Sequence, residues 1–255
     1  MAAVNPTRLR WGACAWLLTL QFFVVETVAQ QRYDGSYSRS QDVVSDLGTG
    51  TSAAHQLMNA SFVVQAALIL AGAVLLRPVL LGAAGRAVPV LLGGAAAGVL
   101  LVGVFPSDGN ATMHVIGAVV YLVGSGLGLI TLAYAVRPRS EVVGTALALL
   151  GLVGLAATAF FLTDVTEYLG KGGTERAAVY VLPIGLALAG AALWRLGGGA
   201  VADRATRRAD RERERAEQAD RDRQRDAALE AAAGRAAEDT DAPDPDDPWA
   251  RRRAD

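Results

Sequence analysis

Long runs of apolar residues alternate with short polar segments over the first three quarters of the chain. Six of these runs reach the roughly 20 residues that an α-helix needs to cross a bilayer core of ~30 Å. They lack the period-2 alternation of half-buried strands, so the pattern predicts an all-α polytopic membrane bundle of six transmembrane helices. The predicted helices cover about residues 11–29, 57–76, 88–105, 115–136, 142–163 and 177–194.

A different pattern begins at residue 195, where apolar runs give way to Arg, Asp and Glu. Residues 200–233 contain neither Pro nor Gly, and opposite charges recur at helical spacing, as in Glu217 and Arg221 or Asp220 and Arg223. We therefore predict a charged tail over residues 195–255 that is helical to about residue 233 and then disordered in its acidic, Pro-rich end. The tail is either a solvated extension or a docking arm for a partner that its sequence does not identify.

The distribution of charge supports this division into two parts. Residues 1–194 contain 19 charged side chains, whereas the 61 residues of the tail contain 30. Soluble domains average about 25% charged residues, so a single soluble domain is excluded. The net charge of −1 gives no long-range attraction to nucleic acid. Cys14 is the only cysteine, which excludes an intrachain disulfide and a cysteine-based metal site, and no cofactor is predicted.

Arginine in the short loops predicts the orientation of the bundle. These arginines fall in alternate connections. Of the intervening loops, residues 105–114 lack Lys and Arg and carry Asp108, and residues 30–56 and 164–176 are mixed in sign. Both termini are therefore expected in the cytoplasm, with the bundle in the plasma membrane. The arginines concerned are Arg8, Arg10, Arg77, Arg86, Arg137, Arg139 and Arg195.

The first run also resembles a signal peptide, because Thr27-Val28-Ala29 follows it. Cleavage there would leave five spans and place the arginine-bearing loops on the wrong side. We therefore expect the first helix to be retained.

Glu26 is the one ionisable acid or base inside the predicted helices, where such groups are costly and serve as functional hypotheses, and Gln21 and Gln65 are polar residues of interest beside it. Gln21 and Gln65 are expected to form hydrogen bonds between helices. Glu26 lies near the outer end of the first helix, and we expect its carboxylate to reach the membrane interface; a functional role is the alternative. Pro183 is expected to kink the sixth helix.

The remaining polar candidates all fall on the predicted outer face. A cluster of acidic, basic, imidazole and amide groups on one face suits a lipid head group, a metal or a polar substrate. The alternative is that these are ordinary loop, turn and cap residues. The candidate ligand-binding residues are Ser45, Asp46, His55, Asn59, Asp108, His114, Glu175, Arg176 and Tyr180.

These residues also carry a resemblance to a known family. Ser45-Asp46-Leu47-Gly48, Phe105-Pro106-Ser107-Asp108 followed by His114, and Glu175-Arg176 resemble segments of a bacterial six-span membrane family, domain of unknown function 998. The resemblance covers about residues 11–194 and implies a fold of six helices without implying an activity. A remoter likeness to eukaryotic six-span proteins of the Frag1, DRAM and Sfk1 type suggests lipid or membrane homeostasis.

Three functions are compatible with the sequence. We favour a non-enzymatic integral membrane protein whose outer site recognises a lipid head group or small ligand in membrane or envelope homeostasis. A small-solute transporter is the first alternative. The second is an intramembrane hydrolase that uses the outer His, Asp and Glu residues, although two histidines make a poor zinc site, so no metal residue is assigned. The partners expected are the bilayer and a lipid or small-molecule ligand, with no nucleic acid.

Overall fold

The structure of the protein, a computed structural model, describes residues 5–241. Helices dominate it, and no strand occurs among the described residues apart from an isolated bridge between Tyr33 and Ser52. The helices are α1 (Pro6–Leu18), α2 (Gln21–Gln30), α3 (His55–Leu76), α4 (Gly82–Val104), α5 (Ala111–Val136), α6 (Glu141–Leu162), α7 (Gly170–Val179) and α8 (Val181–Asp241).

Six segments are long and apolar enough to cross a membrane, which confirms the predicted fold class. The first combines α1 and α2, the last combines α7 with the start of α8, and the middle four are single helices. The chain divides into two compact units, Met1–Val201 and Ala202–Asp255. The spans are Pro6–Gln30, His55–Val79, Gly82–Val104, Ala111–Val136, Glu141–Leu162 and Gly170–Leu196.

Within the first unit, each span packs against the next, and α8 packs against α1. Small residues allow these close approaches. Gly98 lies against the backbone of Gly117, and Gly190 of α8 lies against the backbone of Ala13 in α1. Because burial of apolar surface gives little driving force between helices in lipid, such close contacts are the main source of packing energy.

Two of the six spans are broken. The first is interrupted at Thr19 and Leu20, and the last at Tyr180. The break at Tyr180 agrees with the expected disturbance by Pro183 and lies three residues before it: proline lacks an N–H, so the carbonyl of Val179 has no helical donor, and the chain interrupts the helix there. The Tyr121 hydroxyl donates to this carbonyl at 3.3 Å.

The two ends of the bundle differ in their connections. At one end, short turns carry arginines, and Arg8 donates to the carbonyls of Val74 (2.9 Å) and Leu75 (3.2 Å) at the end of α3. We call this the arginine end. At the opposite end, which we call the loop end, residues 31–54 connect α2 to α3 and include a short 3₁₀ helix, Val44–Gly48.

The second unit is helical as far as Asp241, so the helix continues beyond the predicted end near residue 233. Gly234 costs about 1 kcal/mol in a helix, but alanines flank it on both sides and favour the helical conformation. Side chains of residues 212–232 are exposed, and Arg223 lies 3.2 Å from Asp220, as the charge pattern predicts. The predicted disordered segment falls largely outside the described residues.

Candidate functional site

The connection between α2 and α3 is tied to the helices at the loop end by hydrogen bonds. The Asn59 side chain donates to the carbonyl of Gly48 at 2.8 Å, and the backbone N–H of Gly50 donates to Asp108 at 3.0 Å. His55 Nδ1 lies 2.8 Å from the carbonyl of Ser52 at the start of α3. Asn59, Asp108 and His55 are thus predicted site residues whose observed contacts hold the loop in place.

A buried ion pair lies beneath this loop. Glu26 is 1% exposed and Arg176 is 5% exposed, and Arg176 Nε donates to Glu26 Oε1 at 2.9 Å. The Tyr180 hydroxyl donates to the other oxygen, Oε2, at 2.6 Å. The expectation that Glu26 reaches the interface is therefore wrong, because α7 brings a cation and a hydroxyl to its carboxylate.

The remaining donors of Arg176 fasten the loop to α7. Its Nη1 donates to the carbonyls of Arg39 (2.6 Å), Asp42 (2.8 Å) and Gly172 (3.1 Å), and its Nη2 donates to the Tyr37 hydroxyl. Burial raises the pKa of Tyr37 to about 12, against the opposing effect of the Arg176 charge. The Tyr37 hydroxyl is therefore protonated at neutral pH.

Arg39 extends the same network from the loop. Its Nη2 donates to the Tyr180 hydroxyl at 2.6 Å and lies 3.6 Å from Glu26 Oε1. Sequence analysis did not single out Tyr37 or Arg39, because both lie in a connecting loop and their partners are about 140 residues away along the chain. No local sequence signal marks such a contact.

Two glycines allow the loop backbone to approach α7. Gly170 has a φ of +74°, which favours glycine, and its N–H donates to the carbonyl of Thr166. A Cβ at Gly172 would overlap the carbonyl oxygen of Asp42. These glycines place residues 40–42 within reach of Arg176.

A central cavity of about 30 Å³ lies under the 3₁₀ helix, where α2, α3, α4, α5 and α7 meet. Apolar side chains form most of its wall. Its polar lining residues are Ser45, Gln65, His114, Tyr121 and Glu175.

Gln65 is the unusual member of this lining, because it is 1% exposed and its Nε2 has no hydrogen-bond partner among the described residues. Its Oε1 accepts from Gln21 at 3.2 Å, and Ser61 donates to Gln21 at 3.0 Å. The predicted hydrogen bonds of Gln21 and Gln65 between helices are thus confirmed. A buried donor without a partner costs about 1–3 kcal/mol, so it calls for an explanation.

His114 and Glu175 offer complementary groups at the same cavity. His114 Nδ1 lies 2.9 Å from the carbonyl of Phe105, an acceptor, so this nitrogen carries the proton and Nε2 of the neutral ring is an acceptor. Glu175 accepts from the backbone N–H of Val44 through Oε2, and no described residue donates to its Oε1. The cavity therefore presents one unused donor and two unused acceptors.

Asp46 lies beside the cavity on the 3₁₀ helix and is half-buried. Burial raises the pKa of its carboxyl, the charge of Asp42 adds to this, and Lys171 and His114 oppose it. Asp46 therefore belongs to the electrostatic surroundings of the cavity.

The predicted cluster thus separates into three sets. Ser45, His114 and Glu175 line the cavity, with Asp46 beside it; Arg176 and Tyr180 join Glu26 in the buried network. His55, Asn59 and Asp108 tie down the loop. Within residues 5–241, no group of three or more His, Cys, Asp or Glu side chains is arranged to hold a metal ion.

Six apolar spans and a polar site enclosed at one end define an integral membrane protein with multiple spans. A model of the family described as protein of unknown function (DUF998) matches residues 17–192. The chain therefore belongs to this family, as its sequence segments indicate. Neither a curated protein nor a solved structure matches the chain.

Proposed function

We propose that this protein is a non-enzymatic binding protein whose central cavity takes a small polar ligand or the polar end of a lipid head group. The buried, unpartnered Nε2 of Gln65 carries this proposal. A ligand that accepts a hydrogen bond would satisfy this donor and recover the free energy lost by its burial. We place this binding in membrane or envelope homeostasis as part of the same proposal.

The chemistry of the lining restricts the ligand. It must accept a hydrogen bond from Gln65 Nε2 and can donate to His114 Nε2 or Glu175 Oε1. A hydroxyl or protonated amine next to a carbonyl or ether oxygen has this character. The volume of about 30 Å³ corresponds to about one water molecule, so a larger head group requires the 3₁₀ helix to move outward.

We also propose that the loop end faces outward from the plasma membrane and that both termini are cytoplasmic. The distribution of arginines supports this orientation. Reporter fusions at Asp108 and at Asp255 test it, because an external signal at Asp255 would overturn the orientation.

Untargeted mass spectrometry of compounds that copurify with the full-length protein tests the binding site. Gln65→Leu removes the unpartnered donor, and Ala118→Leu fills the cavity with an apolar side chain. We expect a compound that is retained by the wild type and lost from both variants. Gln31→Leu, at an exposed residue, is the control and should retain the compound. Equal retention by all four proteins, or no retained compound, would refute the proposal.

A small-solute transporter is the second candidate, and the two broken spans favour it. Broken helices at mid-membrane depth are typical of transporter sites, and here the Thr19 hydroxyl, at the first break, donates at 3.2 Å to the carbonyl of Pro183, three residues after the second break. A Gln65→Cys variant in a Cys14→Ala background separates the two functions. Labelling by a membrane-impermeant maleimide from both sides indicates alternating access, whereas labelling from the loop end alone indicates a binding site.

A further inference from the structure

A second site lies at the arginine end, on the opposite side of the bundle from the central cavity. There a groove of about 280 Å³ lies between α6 and α8. Its walls are formed by Val143 of α6 and by Leu188, Ala191 and Ala192 of α8, and its mouth by Ser140, Arg195 and Leu196. The walls of the groove are thus apolar, and its two polar lining residues lie at the mouth.

The change from polar mouth to apolar walls runs along the helix axes, from the ends of the spans toward their middle. Arg195 lies at the end of the last span, and Leu188 lies seven residues earlier, about 10 Å deeper along the helix. Ser140 precedes the first residue of α6, and Val143 lies in the first turn of that helix. A polar mouth at the interface and apolar walls beneath it match the head group and acyl chain of a lipid.

The charge at the mouth selects the type of head group. Arg195 is exposed, and it forms no ion pair with any residue that the structure describes. Glu141, the acidic residue next to Ser140, is already paired with Arg137 at 2.9 Å. The mouth therefore keeps a positive charge, which a phosphate with net negative charge would balance.

We propose that this groove binds one anionic phospholipid, with its phosphate at Arg195 and Ser140 and an acyl chain along Val143, Leu188, Ala191 and Ala192. The guanidinium of Arg195 offers paired donors to the phosphate oxygens. Basic residues at the mouth of a groove between transmembrane helices are the general basis of such lipid recognition. The site is independent of ligand binding in the central cavity.

Native mass spectrometry of the full-length protein with phosphatidylglycerol or phosphatidylcholine tests the proposal. The two head groups differ in net charge, so we expect more phosphatidylglycerol than phosphatidylcholine to stay bound. Arg195→Gln should reduce bound phosphatidylglycerol about five-fold, the effect of one arginine at a membrane surface. Arg195→Lys should restore part of it. Arg86→Gln removes another exposed arginine from the same end and should leave the retention unchanged.

Three outcomes would overturn the proposal. Equal retention of the two lipids would show that charge does not select the occupant. Equal losses from Arg195→Gln and Arg86→Gln would indicate general surface charge instead of a site. Displacement of the lipid by soluble glycerol phosphate would show an anion site that makes no use of the apolar groove.

Discussion

Glu26 and Arg176 at the loop end are almost completely buried, whereas the side chains of Arg137 and Glu141 at the arginine end are 56% and 76% exposed. Both are ion pairs with an N–O distance of 2.9 Å. The buried pair has lost its hydration and depends on protein partners for every donor and acceptor. The exposed pair remains solvated and contributes little. Breaking the buried pair should therefore cost much more free energy of unfolding than breaking the exposed pair, although the two distances are equal.

This difference assigns distinct roles to the two ends. At the loop end, the guanidinium of Arg176 connects α2, α7 and residues 37–42. The loop is therefore held by buried hydrogen bonds. At the arginine end, the exposed guanidinium of Arg195 remains available to lipid. We infer that buried contacts hold the loop end together, whereas the charged side chains of the arginine end remain solvated.

Removal of Arg176 should produce the largest difference between the two ends. Arg176→Gln leaves the buried Glu26 carboxylate with the Tyr180 hydroxyl and, as its remaining described cation, the more distant Arg39, and we expect a loss of about 3–5 kcal/mol in the free energy of unfolding. Denaturant unfolding in detergent measures this loss. Adding Glu26→Gln to this variant should recover part of it, since the uncompensated charge is then removed. A loss below about 1 kcal/mol would contradict the assigned role of the pair.

Overfilling the contact between α7 and the loop should have the next largest effect. Gly172→Ala places a Cβ against the carbonyl of Asp42, and we expect a loss of about 1–3 kcal/mol. Gly93→Ala is the matched control, because no atom lies within 4 Å of its added Cβ. Similar unfolding curves for the two variants would show that the loop adjusts without cost.

The pH dependence of stability should distinguish Asp46 from an exposed acid on the same loop. Burial, aided by the charge of Asp42, raises the pKa of Asp46 in the folded protein. The folded state therefore binds the proton of Asp46 more tightly than the unfolded state does. The stability that this proton contributes is present below the ordinary pKa of 3.8 and is lost as pH rises through the raised pKa. Asp46→Asn should thus gain thermal stability relative to wild type between about pH 4 and neutral pH. Asp34→Asn, at an exposed residue, is the control. A constant difference across this pH range would contradict the prediction.

The exposed pair at the arginine end should give the smallest effect. Arg137→Gln removes its i,i+4 contact with Glu141, and we expect a change of about 0.3–0.5 kcal/mol that disappears in high salt. Thermal unfolding at low and high ionic strength measures this. A loss as large as that of Arg176→Gln would remove the contrast between the two ends.

The fold was predictable from the sequence because each span satisfies its own backbone within one helix, which leaves a continuous local signal of about 20 apolar residues. The breaks were less visible. Pro183 signals a break about one turn before it, but the sequence does not show that the Tyr121 hydroxyl donates to the freed carbonyl of Val179. The interruption at Thr19 has neither Pro nor Gly to mark it.

The candidate site was only partly accessible in the same way. The loop end was identifiable because polar residues collect there between apolar runs, and His114 and Glu175 are among them. The sequence does not show that Asn59 and Asp108 hold the loop while His114 faces a cavity, since all three precede or begin helices. Gln65 was identifiable as a polar residue inside a span. That its Oε1 is paired with Gln21 of another helix while its Nε2 has no partner is visible only in the structure.

The sequence by itself determined the six spans and the separation of a charged tail, because these depend on composition and local periodicity. It also indicated the family, through short segments that resemble those of its members. Only the tertiary structure decided that Glu26 is buried against Arg176, which lies 150 residues later in the chain. A carboxylate near a helix end can reach water or be buried with a cation. The choice depends on whether another helix brings a cation to the same depth, and no local pattern encodes that meeting.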